Sequence, residues 1–439
     1  AARPPPRPRS CGTIRAWSID AKGIRKGASV TGDRKFLTYY RNTALFLLNF
    51  VVVLVAINVV LYLAFRIKDA RTNKSDAERI AAIHNSPDLL RVYPDLDAES
   101  IHQLMKETWS RSYGYEPFTQ FRERPFRGRF VNVSDAGYRV SKDQGPWPPD
   151  PEDFNVFVFG GSTTFGYGLP DTQTVASYLQ EYLSKRVAQR VRVYNFGRGS
   201  YVSEQERVLL EELLLGGFVP NEALFIDGLN EFAFPAGPAE TERLKAVFSA
   251  KPGPLERWPA LRWLPMTRLA SYMRRGATAA LARGPKLDRR NVEPTAAFDD
   301  GRYRDPEVIA RVIERYFENK ALIEAIAASR DVAVAFVWQP IPLYKYDLSY
   351  HLFANADFGS NFFARYGYAD VARRIEEEPP GPDFFWCADI QESLKEPLYV
   401  DKVHYTARMS RLLASTIGDG LIERGLVPVA GTSVARPAK

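Results

Sequence analysis

Residues 155–168 read NVFVFGGSTTFGYG, and this stretch decides how the rest of the chain is understood. The apolar run Val156-Phe157-Val158-Phe159 has the length of a buried strand. It breaks at Gly160-Gly161 and then presents Ser162, Thr163 and Thr164. An amphipathic helix is expected next, through Val175, Tyr178, Leu179 and Tyr182. Strand, glycine turn, hydroxyl and helix together raise a serine to the carboxyl end of a sheet, where backbone N–H groups are at hand for a nucleophile.

From Phe154 onward the pattern alternates strand and helix, the signature of a parallel α/β layered domain. Strands are expected at Val156–Phe159, Val191–Phe196, Ala223–Ile226, Val332–Trp338 and Phe384–Ala388. Helices are expected at Thr174–Arg186, Glu204–Leu215, Pro306–Ser329 and Ala407–Arg424. The alternation stops over 232–305, rich in Pro, Arg and Trp and too long for a plain loop. That segment reads as an insertion serving as a lid, a partner surface or a membrane-facing arm. Residues 341–383 read as a second, irregular insertion rich in Tyr and Phe. The remaining Tyr and Trp clusters read as core or interface.

Upstream, residues 1–43 carry ten Lys/Arg against Asp20 and Asp33, an excess larger than the +7 of the whole chain. The rest of the 439 residues is therefore near neutral, and the basic balance gives no argument for nucleic acid. Residues 1–30 have the composition of a disordered tail. Ala44–Phe65 contains no charge and is long enough to cross a hydrocarbon core of about 30 Å. A signal peptide is the rival, but the run is long for one and no small-x-small cleavage site follows. The reading is a basic cytoplasmic tail (1–43), a transmembrane helix (44–65) and an extracytoplasmic remainder at a bacterial inner membrane. The remainder divides into a stalk and lead-in segment (66–153), an α/β domain (154–425) and a C-terminal tail (426–439). Within the lead-in, helices are expected at Ala77–Ile83 and Ile101–Trp109. Short strands are expected at Phe130–Val133 and Gly137–Val140, and an extended Pro-rich link at 146–151.

Cys11 and Cys387 are too few and too far apart for a metal or disulfide framework, so neither cofactor nor metal is expected. Chemistry concentrates instead in four blocks at the carboxyl ends of the proposed strands. They are Gly160-Gly161-Ser162-Thr163-Thr164, Asn195-Phe196-Gly197-Arg198-Gly199-Ser200-Tyr201, Asp227-Gly228-Leu229-Asn230-Glu231, and Asp401-Lys402-Val403-His404. Each block has an ordinary reading. Ser162 can cap a helix, Asn230 can brace a loop, Asp401 can be a surface acid and His404 a packed histidine.

This ordered set resembles the SGNH (GDSL-like) hydrolase superfamily over roughly residues 154–425, less the two insertions. The resemblance implies a three-layer sandwich on a parallel five-stranded sheet. It also implies Ser162 as nucleophile, His404 as base and Asp401 as the base's orienter. The oxyanion donors would be the Ser162 N–H, the Ser200 N–H (with Gly199 as fallback) and the Asn230 side chain. Ser200 stands where the family has glycine, and Glu231 where it has Asp. The chemistry is consistent, since a serine hydroxyl needs a base, imidazole titrates near neutrality, and a carboxylate fixes its tautomer.

The function expected is a membrane-anchored serine esterase or acyltransferase acting on O-acyl groups of an extracytoplasmic glycan. The alternatives are an idle SGNH-fold scaffold that binds an envelope protein partner through the insertions, and a lipase or thioesterase on membrane lipid. Arg198 and Glu231 are expected to flank the site, touching a polar or acidic substrate or pairing with other charges. His84, His102 and His351 read as structural, with a place in the pocket wall the lesser reading for His351.

Overall fold

The computed structural model describes residues 30–84, 89–111, 113–238, 264–266, 269–270, 273, 303–354 and 358–428, with side chains of the long N-terminal helix described over 34–68. Contacts divide the chain into two units. One comprises residues 1–69 and 254–282, the other 70–253 and 283–439.

In the first unit the dominant element is helix α1 (Val30–His84), which continues into the second unit at its C-terminal end. Within Arg34–Lys68 an 18-residue window has mean hydropathy 2.8 and is almost wholly exposed, so this helix is long and apolar enough to cross a membrane. The polar Asn58 turns inward along the helix, its Nδ2 donating to the Leu54 carbonyl at 2.9 Å. Most of 232–305 lies outside the described residues, and with it the expected lid or partner surface.

The second unit opens with a helical turn at Leu89–Val92 and helix α2 (Ala98–Trp109), capped by Asp97 accepting from Ser100 N at 2.7 Å. A hairpin follows, β1 (Tyr113–Glu116) antiparallel to β2 (Gln120–Glu123). Strands β3 (Phe126–Arg127) and β4 (Asn132–Val133) pair next, and Arg139 bridges to both Val133 and Asn195. The lead-in is thus folded against the sheet. Its Trp147 packs among Tyr138, Phe157, Tyr194 and Phe196.

The α/β body begins with β5 (Phe154–Gly160), every residue of which is buried, as a central parallel strand demands. There follow helices α3 (Ser162–Phe165) and α4 (Val175–Ser184), strand β6 (Val191–Asn195) and helix α5 (Ser203–Leu215). Next come β7 (Glu222–Asp227), α6 (Leu229–Ala233), α7 (Pro306–Ala328) and β8 (Ala333–Trp338). The chain closes with α8 (Phe362–Glu377), β9 (Phe384–Trp386) and α9 (Ala407–Glu423). All five strands of the main sheet run parallel in the order β6-β5-β7-β8-β9.

Alternation along the strands sorts two cores. Phe157, Phe159, Phe225, Phe336 and Trp338 face α5, α7 and α8 in an aromatic layer. Val156, Val158, Leu224, Ile226, Ala335 and Val337 face α4 and α9 in an aliphatic one. The expected three-layer sandwich on a parallel five-stranded sheet is therefore what the chain adopts.

One expectation is corrected. Within 341–383, read as irregular, residues 362–377 form α8, which buries Ala364, Tyr368 and Val371 on the sheet and serves as the crossover into β9. Gly367 permits this close packing, since a Cβ there would meet the Phe232 ring at 2.1 Å.

Candidate active site

Order reverses at β5, which has β6 on one side and β7 on the other, and the loops leaving these three strands meet in the crevice such a switch opens. Gly160 leaves β5 at φ +149°, and a Cβ on it would lie 2.2 Å from Thr164 Oγ1 and 2.7 Å from the Ile226 carbonyl. Only glycine turns there. A Cβ on Gly161 would lie 2.2 Å from Asn230 Nδ2, so the second glycine is what lets the Asn230 amide reach the serine loop.

Hydrogen bonds from several distant residues fix that loop. Thr163 Oγ1 donates to Gln339 Oε1 at 2.7 Å, and the same oxygen accepts Tyr405 OH at 2.9 Å. Asn195 Nδ2 donates to the Thr164 carbonyl at 2.9 Å, and Arg198 N to the Gly160 carbonyl at 2.9 Å. From the lead-in, the fully buried Arg139 guanidinium donates to the carbonyls of Phe165 (2.7 Å), Gly166 (2.6 Å) and Leu169, and to Asp171 at 3.0 Å.

The fourth block arrives from the far end of the chain on a bridged turn. Val400 N donates to the His404 carbonyl at 2.8 Å and Thr406 N to the Leu398 carbonyl at 2.9 Å, while the Thr406 side chain caps α9. This turn places His404 Nε2 2.8 Å from Ser162 Oγ, and His404 Nδ1 2.7 Å from Asp401 Oδ2. Asp401 Oδ1 also accepts Val403 N at 3.0 Å and His404 N at 2.9 Å. Burial pushes the Asp401 carboxyl upward, but attraction to His404 and these hydrogen bonds outweigh it, and the group is held below its ordinary value. The imidazole itself is clamped, stacked on Tyr167 at 5.3 Å and met edge-on by Trp109 at 5.6 Å between ring centroids.

The expected oxyanion donors sit in the segments that follow β5, β6 and β7. Ser200 adopts φ +65°, a left-handed conformation natural for glycine and strained for serine. Neither its N–H nor that of Ser162 has an acceptor among the described residues. Asn230 Nδ2 donates one hydrogen to the Tyr201 carbonyl at 2.7 Å, leaving its second uncommitted. Gly199 is packed against hydroxyls, a Cβ there lying 2.5 Å from both Tyr113 and Tyr167 OH.

Arg198 and Glu231 are buried and bond to neighbouring residues of the domain. Arg198 Nη1 donates to Tyr201 OH at 2.7 Å. Glu231 accepts Ser203 N at 2.7 Å, which caps α5, and lies 3.7 Å from Arg315. His351 stacks on Tyr399 at 5.4 Å, beside the Asp401 turn, with Nδ1 accepting Phe353 N at 2.9 Å. Burial lowers its pKa to about 4 against the opposing pull of Lys402 and Asp401, so it is neutral and packed. His102 lies on α2, and the His84 side chain lies outside the described residues. Sequence reasoning missed Tyr167, Gln339, Tyr405 and Trp109. Of these, Tyr167, inside the GYG that ends the opening stretch, and Tyr405, directly after His404, stood near flagged blocks.

No groups of His, Cys, Asp and Glu suited to a metal occur among the described residues. No family model and no curated protein matches the chain. Solved structures similar to it include a G-D-S-L family lipolytic protein from Desulfitobacterium hafniense (11% identity, 61% of this chain and 100% of that one, TM-score 0.30). A second G-D-S-L family lipolytic protein is from Veillonella parvula (10%, 61% and 96%, TM-score 0.31). An acetyl xylan esterase, AlAXEase, is also similar (10%, 61% and 99%, TM-score 0.33). Two of these similar structures are thus described as G-D-S-L family lipolytic proteins and the third as an acetyl xylan esterase.

Proposed function

We propose that the chain is a membrane-anchored serine esterase or acyltransferase working through an acyl-enzyme. The reading rests on one observation, the continuous line from Ser162 Oγ to His404 Nε2 (2.8 Å) and from His404 Nδ1 to Asp401 Oδ2 (2.7 Å). In it, Ser162 Oγ attacks an ester carbonyl carbon while His404 Nε2 takes the hydroxyl proton. The oxyanion forms against the N–H groups of Ser162 and Ser200 and the free hydrogen of Asn230, each lowering the barrier by about 3 kcal/mol. His404 then returns the proton to the departing alcohol oxygen, leaving the acyl group on Ser162. Water or a second alcohol, deprotonated by the same imidazole, removes it.

The apolar helix at 34–68 would carry the anchor, and the basic residues before it would keep the N-terminus cytoplasmic and the α/β domain outside. Facing the envelope, the site would act on short O-acyl groups of a glycan. The test uses full-length protein in detergent. Wild type should be labelled by a fluorophosphonate probe and should cleave p-nitrophenyl acetate, and Ser162→Ala and His404→Ala should lose both while melting normally. Absence of labelling and cleavage in wild type would sink the reading. Loss of chemistry in Ser162→Ala without loss of cellular function would favour a scaffold.

A further inference from the structure

We propose that Trp109, with Tyr113 and Tyr115 beside it, forms a pyranose-stacking subsite that aligns the sugar bearing the scissile ester. The proposal rests on the reading of Ser162 as nucleophile and names a second contact for the same substrate.

Trp109 is the last residue of α2, in a segment that precedes the α/β body by some forty residues, yet its indole lies 5.6 Å from the His404 ring and 5.1 Å from that of Tyr167. It does not fill a core. Half of it, 51%, is exposed, an unusual state for the largest apolar side chain when it stands beside a buried imidazole. Its placement is rigid. Two residues earlier, Glu107 accepts the backbone N–H groups of Arg129 (2.8 Å), Phe130 (2.8 Å) and Val131 (3.0 Å), and this pins the end of α2.

The hairpin that follows continues the surface. Tyr113 and Tyr115 are two residues apart on β1, hence on one face and roughly 7 Å apart, the scale of a hexose ring. Tyr113 is anchored, its hydroxyl bonded to Tyr167 OH at 2.8 Å and set against Gly199. Tyr115 is 62% exposed. Tyr113 thus carries the aromatic wall from the Tyr167 ring beside the imidazole to Gly199, and Tyr115 extends it outward on the same face of β1.

That chemistry fits a pyranose better than an acyl chain. A sugar ring offers axial C–H groups to an aromatic face and hydroxyls to its edges, and exposed Trp and Tyr serve such half-apolar ligands at little entropic cost. An aliphatic chain needs an enclosed apolar slot, whereas the Trp109 indole is half exposed. With Ser162 Oγ one hydrogen bond beyond the imidazole, a ring lying on Trp109 carries its exocyclic ester to the nucleophile.

Binding is read apart from chemistry by placing Trp109→Ala in a Ser162→Ala background of the full chain and titrating cellotetraose, chitotetraose and mannotetraose by calorimetry. At least one oligomer should bind to Ser162→Ala and weaken tenfold or more with Trp109→Ala, while Trp109→Phe loses threefold or less. Equal affinity with and without the indole, or no binding of any of the three, overturns the subsite.

With Ser162 intact, the ratio of kcat/KM for O-acetylated cellotetraose to kcat/KM for p-nitrophenyl acetate should fall tenfold or more in Trp109→Ala, mainly through KM. An equal fall on both substrates would make Trp109 a prop for His404 alone. A larger loss on p-nitrophenyl octanoate would make the wall an acyl site. Either result overturns the proposal. If wild type cleaves none of these esters, the esterase reading fails while the calorimetry still decides the subsite.

Discussion

The contacts of the two Asp401 oxygens predict how it fails. Oδ1 accepts two backbone N–H groups of its own turn and lies 2.9 Å from His404 Nδ1, while Oδ2, with no other partner among the described residues, faces the same nitrogen at 2.7 Å. In Asp401→Asn the carbonyl oxygen can keep the turn, while the amide NH₂ faces Nδ1 and donates to it. The ring proton then moves to Nε2 and no base faces Ser162. The expected outcome is a fall in kcat of about 10³–10⁴-fold with little change in melting, measured on p-nitrophenyl acetate. Ser200 gives a complementary test. It is held at φ +65° and is expected to contribute only its N–H. Ser200→Gly should therefore keep kcat within about threefold and leave the protein between unchanged and about 1 kcal/mol more stable, because relief of strain offsets added chain entropy. A tenfold loss would mean that the hydroxyl takes part.

At the scale of elements, the loop after β5 is held less by its own strand than by Arg139 of the lead-in. That guanidinium is buried and donates to three carbonyls and Asp171. Arg139→Ala would leave those carbonyls unpaired and the Asp171 carboxylate without its partner, so a loss of about 3–5 kcal/mol is expected in denaturant melts. Activity should be lost with it as Ser162 drifts from His404. A loss below about 1 kcal/mol would show that the loop holds itself.

What the sequence disclosed follows the same division between local and distant. Strand β5 was legible because four consecutive apolar residues end at two glycines. The Asp401–His404 pair was legible because both roles sit three residues apart on one turn. Helix α8 was not, because its buried Ala364, Tyr368 and Val371 are mixed with partly buried aromatic residues and a glycine that serves Phe232. Trp109 was not, because its partner lies nearly three hundred residues away and no spacing encodes that meeting. Arg198 and Glu231 stood in the right blocks, but burial turned both inward.

For the molecule as a whole, the α/β body buries several carboxyls, of which Glu231 lies 3.7 Å from Arg315 and the others have no ion pair among the described residues. Glu206, Asp227 and Glu231 are buried together behind the oxyanion loops, against the fully buried Tyr316 ring. Glu222 is fully buried at the start of β7, with no hydrogen-bond partner for either oxygen among the described residues. Burial, reinforced by neighbouring carboxylates, raises Glu206 and Asp227 well above their ordinary values. Burial raises Glu231 to about 6 and Glu222 well above the usual glutamate range.

A raised carboxyl holds its proton more tightly in the folded chain. Its stabilising effect is therefore complete below the unfolded pKa and is lost as pH rises through the folded one. Each such group should lower the unfolding free energy by about 1.4 kcal/mol per pH unit across that window. Glu231 acts between roughly pH 4.5 and 6 and the others extend further upward. Asp401, with its lowered pKa, opposes them only in more acid solution, as pH falls through its folded value. Denaturant melts should accordingly show greater stability at pH 5.5 than at pH 7.5. Glu222→Gln keeps the shape and removes the titration. It should change stability little at pH 5 and raise it by roughly 1–3 kcal/mol at pH 7.5. A Glu222→Gln curve parallel to wild type across this range would mean that Glu222 ionises freely in the folded state, and that something other than burial sets its proton affinity.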